Sequence, residues 1–476
     1  MTDSIESRLQ EARRQLAQHG QQDLLRFAEQ LSAAQLEELL ADINRLDLPL
    51  IDELIEGFLK AQPSAQLPDK ILPPPVYPIE PSAELAPKYQ QALEEGQKLI
   101  AEGKVAAFAV AGGMGTRLNF DGPKGLLPAT PVRKKVLFEV FADSIRAAQK
   151  RYGGVIAWYI MTSPANHETT KQAFEEKNYF GLEADNVVFF QQGMIPCFDQ
   201  EGKILLAEPH RIALSPDGHG GSLRALHRSF ALEDMARRRI EYISYFQVDN
   251  PLVKVIDPLF IGLHALDQAQ MSSKAVMKED PEEKVGVLVL GDGKVRVIEY
   301  SDLPRSLAQQ RNDEGRLTYE LGSVAIHIIN RSFVEKINAH GFSLPWHRAQ
   351  KRVPYVDTHG QVVDPQEPNA VKLETFVFDA LPLADVSIIL AIERAEEFAP
   401  IKNAAGADSP ESSRRLQIER AARWLEKAGA DVPRRPDRTI DAALEISPLF
   451  ALDVEELAQK GPLLPPIEPG GSIYIE

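Results

Sequence analysis

The residues with the clearest chemical promise sit between Ala111 and Gly125, in the run AGGMGTRLNFDGPKG. Three glycines, Gly112, Gly113 and Gly115, follow Ala111, and Arg117 and Lys124 come within ten residues of them. Glycine lets backbone N–H groups approach an anion with no Cβ in the way. Arginine adds a forked set of donors suited to phosphate oxygens, and lysine adds a point charge. The dinucleotide fingerprint needs a further glycine where this chain has Leu118, and no Gly-Lys-Ser/Thr follows, so neither that motif nor a Walker A loop is present. Read alone, the run is either a polyphosphate cradle or a glycine-rich turn with solvated charges.

Other reactive types are scattered. His210, His327 and His347 have no metal-ligand spacing to one another or to cysteine. The single cysteine, Cys197, lies beside proline and phenylalanine with no basic neighbour to lower its pKa. Arg434, Arg435 and Arg438 read as a solvated basic face.

The glycine run needs a strand to deliver it. KVAAFAVAGG (104–113) is an apolar strand running into the glycines, and GVIAWYIMTS (154–163), NVVFFQQG (186–193) and YISYFQVDN (242–250) are further short apolar runs. Helical stretches at 137–152, 167–177 and 221–239 separate them. Strands alternating with helices predict a mostly parallel sheet covered on both faces. From about 271 the texture is β-rich, with SKAVMKE, VGVLVL, GKVRVIEY and VAIHIIN; DGK at 292–294 is a turn signal, so this half is expected to be antiparallel. A strand with an exit loop is expected over 386–404, and a helix near 410–429 before proline-rich terminal loops. Residues 1–62 carry Leu9, Leu16, Leu24, Leu25, Phe27, Leu31, Leu36, Leu39 and Leu40 at helical spacing, which predicts a helical subdomain packed on the main body. Residues 63–87 hold seven or more prolines and read as an extended connector. The expected division is a helical segment and connector (1–95), a catalytic domain (96–395) with halves meeting near 270, and a C-terminal segment (396–476).

Length and charge bound the function. With 476 residues the chain has room for several domains and a large core, so no disulfide or metal staple is needed for folding. The net charge is 53 − 69 = −16, which argues against a nucleic-acid coat or a membrane-surface binder, though a local basic cleft for a nucleotide is compatible with it. One cysteine excludes an internal disulfide and fits a reducing compartment. There is no apolar run of membrane-spanning length and no signal-peptide stretch, so a cytoplasmic protein is expected, with no membrane and no nucleic-acid partner.

The glycine run resembles the nucleotide-binding loop of the eukaryote-type UDP-sugar pyrophosphorylases, and among them most closely that of the UDP-N-acetylhexosamine enzymes. The resemblance continues through QGMIPCFD (192–199), SPDGHGG (215–221), VDNPLVKVIDPLFIG (248–262), VGVLVL with VRVIEYSDL (285–303), PYVDTHGQVVDPQEPNAVKLETFVFDAL (354–381) and EEFAPIKN (396–403). It covers about 90–430 and implies an α/β fold with a Rossmann-like, mostly parallel nucleotidyltransferase sheet. It also implies a reaction: UTP and a sugar 1-phosphate give a UDP-sugar and pyrophosphate, with Mg²⁺.

By that resemblance Ala111, Gly112, Gly113 and Gly115 cradle UTP, and Arg117, Lys124 and Lys402 meet its phosphates. Asp249 is the Mg²⁺ ligand and lies beside the sugar; without the resemblance, an aspartate before Asn250-Pro251 reads as a turn residue or helix cap. Gln192, Gly218 and His219 match positions at the uracil or ribose. Gly286, Glu299, Ser323, Phe376 and Phe378 match the sugar pocket, although the alternation of Phe376 and Phe378 also fits one buried face of a strand. Two residues depart from the N-acetylhexosamine pattern. His219 and Ser323 each stand where those enzymes have asparagine, and His219 matches the GHG of UDP-glucose and broad-specificity enzymes. The resemblance therefore favours N-acetylglucosamine 1-phosphate as the acceptor, leaves glucose 1-phosphate or several hexose 1-phosphates as the alternative, and admits a non-catalytic nucleotide-sugar-binding regulator as a third reading.

Overall fold

The computed structural model describes residues 4–61, 67–461 and 464–476, so residues 1–3 and 62 of the expected helical stretch, 63–66 of the connector and 462–463 of the C-terminal segment lie outside the described residues. Contacts group into two compact units, each assembled from separate stretches of chain. One comprises Met1–Gln66, Gly193–Gly221 and Leu344–Val377; the other comprises Leu67–Gln192, Ser222–Ser343 and Phe378–Glu476.

The larger unit is built on a ten-stranded mixed sheet. Its strands, in chain order, are β1 (Val105–Val110), β2 (Trp158–Thr162), β3 (Val187–Gln191), β4 (Tyr242–Gln247), β5 (Met271–Met277), β6 (Val287–Gly291), β7 (Lys294–Ile298), β8 (Leu321–Asn330) and β9 (Ile389–Ile392), with the short strand Ile71–Leu72 at one edge. β4, β1, β2 and β3 are parallel neighbours in that order. β1 and β2 are buried almost throughout, which is why VAAFAV and WYIMT read as continuous apolar runs rather than alternating ones. β8 then pairs antiparallel with β4, β5 and β6, and β5 pairs parallel with β9. The DGK signal is the turn of the antiparallel β6–β7 hairpin, with Asp292 at φ +51° and Gly293 at φ +79°, the paired left-handed conformations of a type I′ turn.

The helix Leu137–Tyr152 buries Leu137, Phe138, Phe141, Ile145 and Ala148 in the core of this unit. The described part of the connector is stitched to the sheet: Tyr77 N–H donates to Ile389 C=O, and Ala391 N–H donates to Tyr77 C=O. Two sequence expectations are corrected. The single helix over 221–239 is two, Gly221–Arg228 and Ala231–Arg237, because the Ser229 hydroxyl accepts from Ala231 N–H at the break. The terminal region is not loops alone: after helix Pro410–Lys427, capped by Ser409, strands Ala442–Ile446 and Gly471–Ile475 form a parallel ribbon with a core that includes Trp424, Leu425, Leu444 and Leu457.

In the smaller unit, helices Ile5–Gln18, Ala33–Asn44 and Leu48–Leu54 place Leu9, Leu16, Leu39 and Ile51 against Phe198, Leu206, Val371 and Leu373. The helical spacing at the N-terminus therefore builds one face of a core whose other face comes from 193–221 and 344–377. No described helix is long and apolar enough to cross a membrane.

Candidate functional site

In the larger unit, the C-terminal ends of β1, β2 and β4 lie side by side: Val110 is in register with Met161 and with Gln247. Open α/β sheets bind ligands at this edge. The chain leaves β1 at Ala111, whose N–H donates to Met161 C=O, and turns through the glycines. Lys124 N–H donates to Gly113 C=O (3.1 Å) and Gly115 N–H to Gly122 C=O (2.9 Å), which closes the loop on itself. Gly112 has no room for a Cβ, which would lie 2.4 Å from Gln192 Oε1 at the end of β3. A Cβ on Gly113 would meet nothing within 4 Å. Thus Gly112 brings Gln192 down onto the loop, and Gly113 has open space on its Cβ side. Arg117, on the short turn Thr116–Leu118, is exposed and makes no side-chain hydrogen bond or ion pair among the described residues.

Lys124 comes back across the loop, its Nζ 3.5 Å from Asp249 Oδ2, with both side chains largely enclosed. Asp249 follows β4, and its C=O accepts from Ile401 N–H (2.9 Å), which sets Lys402 beside it. Asp249, Lys402 and Ser323 line one small cavity of about 90 Å³, together with Gln247 and Asn250. The strand supplying Ser323 is bulged: between Ser273 and Ala275 of β5, the partner on β8 moves from His327 to Ser323, and Ala325 stands at φ +54°. Residues 323–326 thereby all face this cavity. Ser323 N–H donates to Gly286 C=O (2.8 Å), and a Cβ on Gly286 would lie 3.1 Å from Glu299 Oε1, so Gly286, Glu299 and Ser323 form one cluster.

Gly218, His219 and Phe376 belong to the smaller unit. Gly218 is at φ +84°, and a Cβ there would lie 2.3 Å from Thr375 C=O. His219 Nδ1 accepts from Val377 N–H (3.1 Å), which leaves the ring proton on Nε2. Its packing, and then the nearby His347, push its pKa down to about 4, so the imidazole is neutral at physiological pH. His219 and His347 each stack on Phe376, at 5.2 Å and 4.3 Å between ring centroids. Phe376 and Phe378 do not share a strand face. The strand ends at Glu374, and Val377–Leu383 is a 3₁₀ turn containing Pro382. Phe378, buried, belongs to the larger unit.

Three residues were given no role by the sequence reading. Asn166, fully buried, donates from Nδ2 to Ala111 C=O (2.9 Å) and Gly113 C=O (3.3 Å), and its Oδ1 accepts from Ser163 N–H (2.8 Å), so it staples the glycine loop to the end of β2. Asn250 does the same for the loop that carries Lys402. His347 joins the ring stack. Asparagines that bond backbone leave no spacing signature; the signal lies only in which strand ends become neighbours. Cys197 is buried, and burial pushes its thiol pKa up, which suits an inert core residue. Arg434 and Arg435 are satisfied locally by Glu426 and Asp441.

The carboxylate of Asp249 fits a divalent cation. Among the described residues no group of three or more His, Cys, Asp or Glu could enclose a metal. Asp249 presents one hard carboxylate in a largely enclosed position, and magnesium is commonly held by one or two carboxylates plus phosphate oxygens and water.

A glycine loop at the edge of parallel strands, its own lysine set against a carboxylate and a second lysine sharing that carboxylate's cavity, is the outline of a nucleotidyltransferase. Residues 52–443 match the family described as UTP--glucose-1-phosphate uridylyltransferase. UDP-N-acetylglucosamine diphosphorylase 2 of Arabidopsis thaliana is 36% identical over 469 residues, covering 93% of this chain and 89% of that protein. UDP-N-acetylhexosamine pyrophosphorylase-like protein 1 of Homo sapiens is 35% identical over 475 residues, covering 94% of each. The solved structure of the uridine diphosphate N-acetylglucosamine pyrophosphorylase from Trypanosoma brucei, in complex with an inhibitor, superposes with a TM-score of 0.82 at 27% identity, covering 100% of this chain and 99% of that one. The chain belongs to the UTP--glucose-1-phosphate uridylyltransferase family, a family of nucleotidyltransferases.

Proposed function

We propose that this family member is a UDP-N-acetylglucosamine pyrophosphorylase, joining UTP and N-acetylglucosamine 1-phosphate into the UDP-sugar with release of pyrophosphate. The observation that carries the chemistry is Lys124 Nζ at 3.5 Å from Asp249 Oδ2, over a glycine loop with open space at Gly113. The sugar assignment is supported by the relatives' names.

The physical problem is to bring two polyanions together. UTP carries about four negative charges and a sugar monophosphate about −1.5 to −2 near neutral pH. An oxygen of the sugar phosphate attacks the α-phosphorus; that O–P bond forms, the α–β anhydride bond breaks, and its electron pair leaves on pyrophosphate. The nucleophile is already an anion, so the protein need not remove a proton. Its work is positioning and charge neutralisation. Ala111, Gly112, Gly113 and Gly115 offer backbone to the phosphates. Arg117 and Lys124 bind the triphosphate and receive the leaving group, and Lys402 meets the same charge from the other side of the cavity. Asp249 holds Mg²⁺, which when bound supplies charge neutralisation and orientation to the phosphates. Gln192 offers its amide to the base, Gly218 and His219 serve the base or ribose, and Gly286, Glu299, Ser323, Phe376 and Phe378 serve the sugar. Catalysis is assigned to 96–395, with UTP on 96–270 and sugar on 271–395; Lys402 comes from the C-terminal segment. The compartment is the cytoplasm.

A second reading keeps the chemistry and takes glucose 1-phosphate. Ser323 favours it, since it faces the cavity of Asp249 and Lys402 and offers no amide. Both readings expect Asp249→Ala to cut pyrophosphate release about a thousand-fold or more, several kcal/mol of lost charge stabilisation, with no rescue by magnesium titration. Near-normal turnover would remove Asp249 from the metal site.

A further inference from the structure

In the larger unit Lys274, Asp257 and Glu397 form a buried charge cluster, with Lys254 at its exposed edge, to which the proposed chemistry gives no role. Lys274, on β5, is completely buried, with Nζ at 2.6 Å from Asp257 Oδ2 and 2.5 Å from Glu397 Oε2. Lys254 Nζ stands 3.4 Å from Glu397 Oε1. Two lysines and two carboxylates make the group neutral overall, and two of its members, Lys254 and Asp257, follow Asp249 in the chain while Glu397 precedes Lys402.

The backbone of Glu397 is held as firmly as its side chain. Asn250 Nδ2 donates to Glu397 C=O (2.7 Å), and Asn250 Oδ1 accepts from Ala399 N–H (3.0 Å). Two residues on, Ile401 N–H donates to Asp249 C=O (2.9 Å). Ser413, from the C-terminal helix, donates its hydroxyl to Ala399 C=O (2.7 Å). The stretch 397–401 is therefore laid along 249–250 by three hydrogen bonds, with Glu397 anchored at one end by Lys274 and Lys254. Lys402 is the first residue beyond the last of these bonds, and it shares one cavity with Asp249. Lys402 itself is exposed, its Nζ 5.8 Å from the Phe398 ring centroid. A long, exposed lysine has many rotamers, so its reach is set by where its backbone is placed.

We propose that Asn250 and Glu397 are positioning residues that fix Lys402 against Asp249, with Lys274 as the buried charge that holds Glu397 in place. This rests on the reading that Lys402 meets the phosphates of the reaction. A residue that only supports the fold penalises every variant equally; one that acts through Lys402 loses its importance when Lys402 is gone.

The test is a double-mutant cycle on the full chain. Asn250→Ala removes the donor to Glu397 C=O and the acceptor for Ala399 N–H without adding a charge to the cavity that Lys402 shares. It is expected to lower kcat/KM about 10- to 100-fold, the loss of a charged hydrogen bond from a displaced Lys402, and to raise KM for pyrophosphate in the reverse direction. In a Lys402→Ala background the same change is expected to cost less than about threefold. Glu397→Gln, which keeps the side chain's size, should show the same coupling and stands in if Asn250→Ala does not fold. Equal penalties in both backgrounds overturn the proposal. Wild-type turnover by Lys402→Ala removes Lys402 from the site and overturns the relay with it, whereas a crippled Lys402→Ala with additive penalties overturns the relay alone.

Discussion

Gly113→Ala separates binding from folding. Gly113 is not among the positive-φ residues, and a Cβ there meets nothing within 4 Å, so alanine fits without strain. A compatible Gly→Ala change reduces the freedom of the unfolded chain and typically stabilises by about 0.4–1 kcal/mol. The melting temperature should therefore hold or rise slightly. The open space beside Gly113 is where a phosphate oxygen is proposed to approach the backbone. A methyl group there keeps the anion off the N–H, and a hydrogen bond to a charged group is worth about 1.5–3 kcal/mol, or roughly 10- to 150-fold in affinity. The expected result is a UTP KM raised at least tenfold in a protein as stable as the parent. The assay is pyrophosphate release against UTP concentration at saturating sugar phosphate, with a thermal melt on the same sample. Gly112→Ala is the informative comparison, because its Cβ falls 2.4 Å from Gln192 Oε1 and must displace that side chain. An unchanged UTP KM in Gly113→Ala would refute the loop as the phosphate cradle.

Two further outcomes are expected. Ser323→Asn restores an amide to the cavity and should raise turnover of N-acetylglucosamine 1-phosphate relative to glucose 1-phosphate by about tenfold or more; a fall in that ratio would place Ser323 away from the acetamido group. Burial pulls the Asp257 pKa up, but Lys274 and then Lys254 overcome it and hold the carboxyl at about 2, against an ordinary 3.8. A depressed folded-state value contributes stability above pH ~4 that is lost as pH falls through about 2, here about 2 kcal/mol. Lys274→Met should cost about 3–5 kcal/mol at neutral pH, and should weaken that acid-dependent loss. Urea melts from pH 7 to 2 showing the same pH dependence in both proteins would contradict the assignment.

Much of this architecture is legible in the residues themselves. The apolar runs that became β1 to β4 are readable because strands buried on both faces need no polar alternation, and the hairpin at Asp292-Gly293 is readable because few residues tolerate its backbone. The glycine run was legible as a candidate cradle for a different reason, the missing Cβ that lets backbone be approached closely. What escaped depends on long-range assembly. The smaller unit joins the N-terminal helices to 193–221 and 344–377, and no local pattern announces that partnership. The alternation of Phe376 and Phe378 mimics a strand, yet the strand has ended at Glu374 and a 3₁₀ turn containing Pro382 begins at Val377. Asn166 and Asn250 look like ordinary loop residues until adjacent strand ends supply the carbonyls they bond. The terminal ribbon pairs Ala442–Ile446 with Gly471–Ile475, two short stretches that are strands only because each finds the other.

The account stands or falls on the reaction itself. Purified protein with UTP and magnesium should release pyrophosphate with N-acetylglucosamine 1-phosphate, and faster than with an equal concentration of glucose 1-phosphate. Preference for glucose 1-phosphate would mean that Ser323 and His219 have retuned the pocket. No pyrophosphate with either sugar, or with a wider panel of sugar 1-phosphates, would contradict the proposed uridylyl transfer and leave a nucleotide-sugar-binding protein on the same fold.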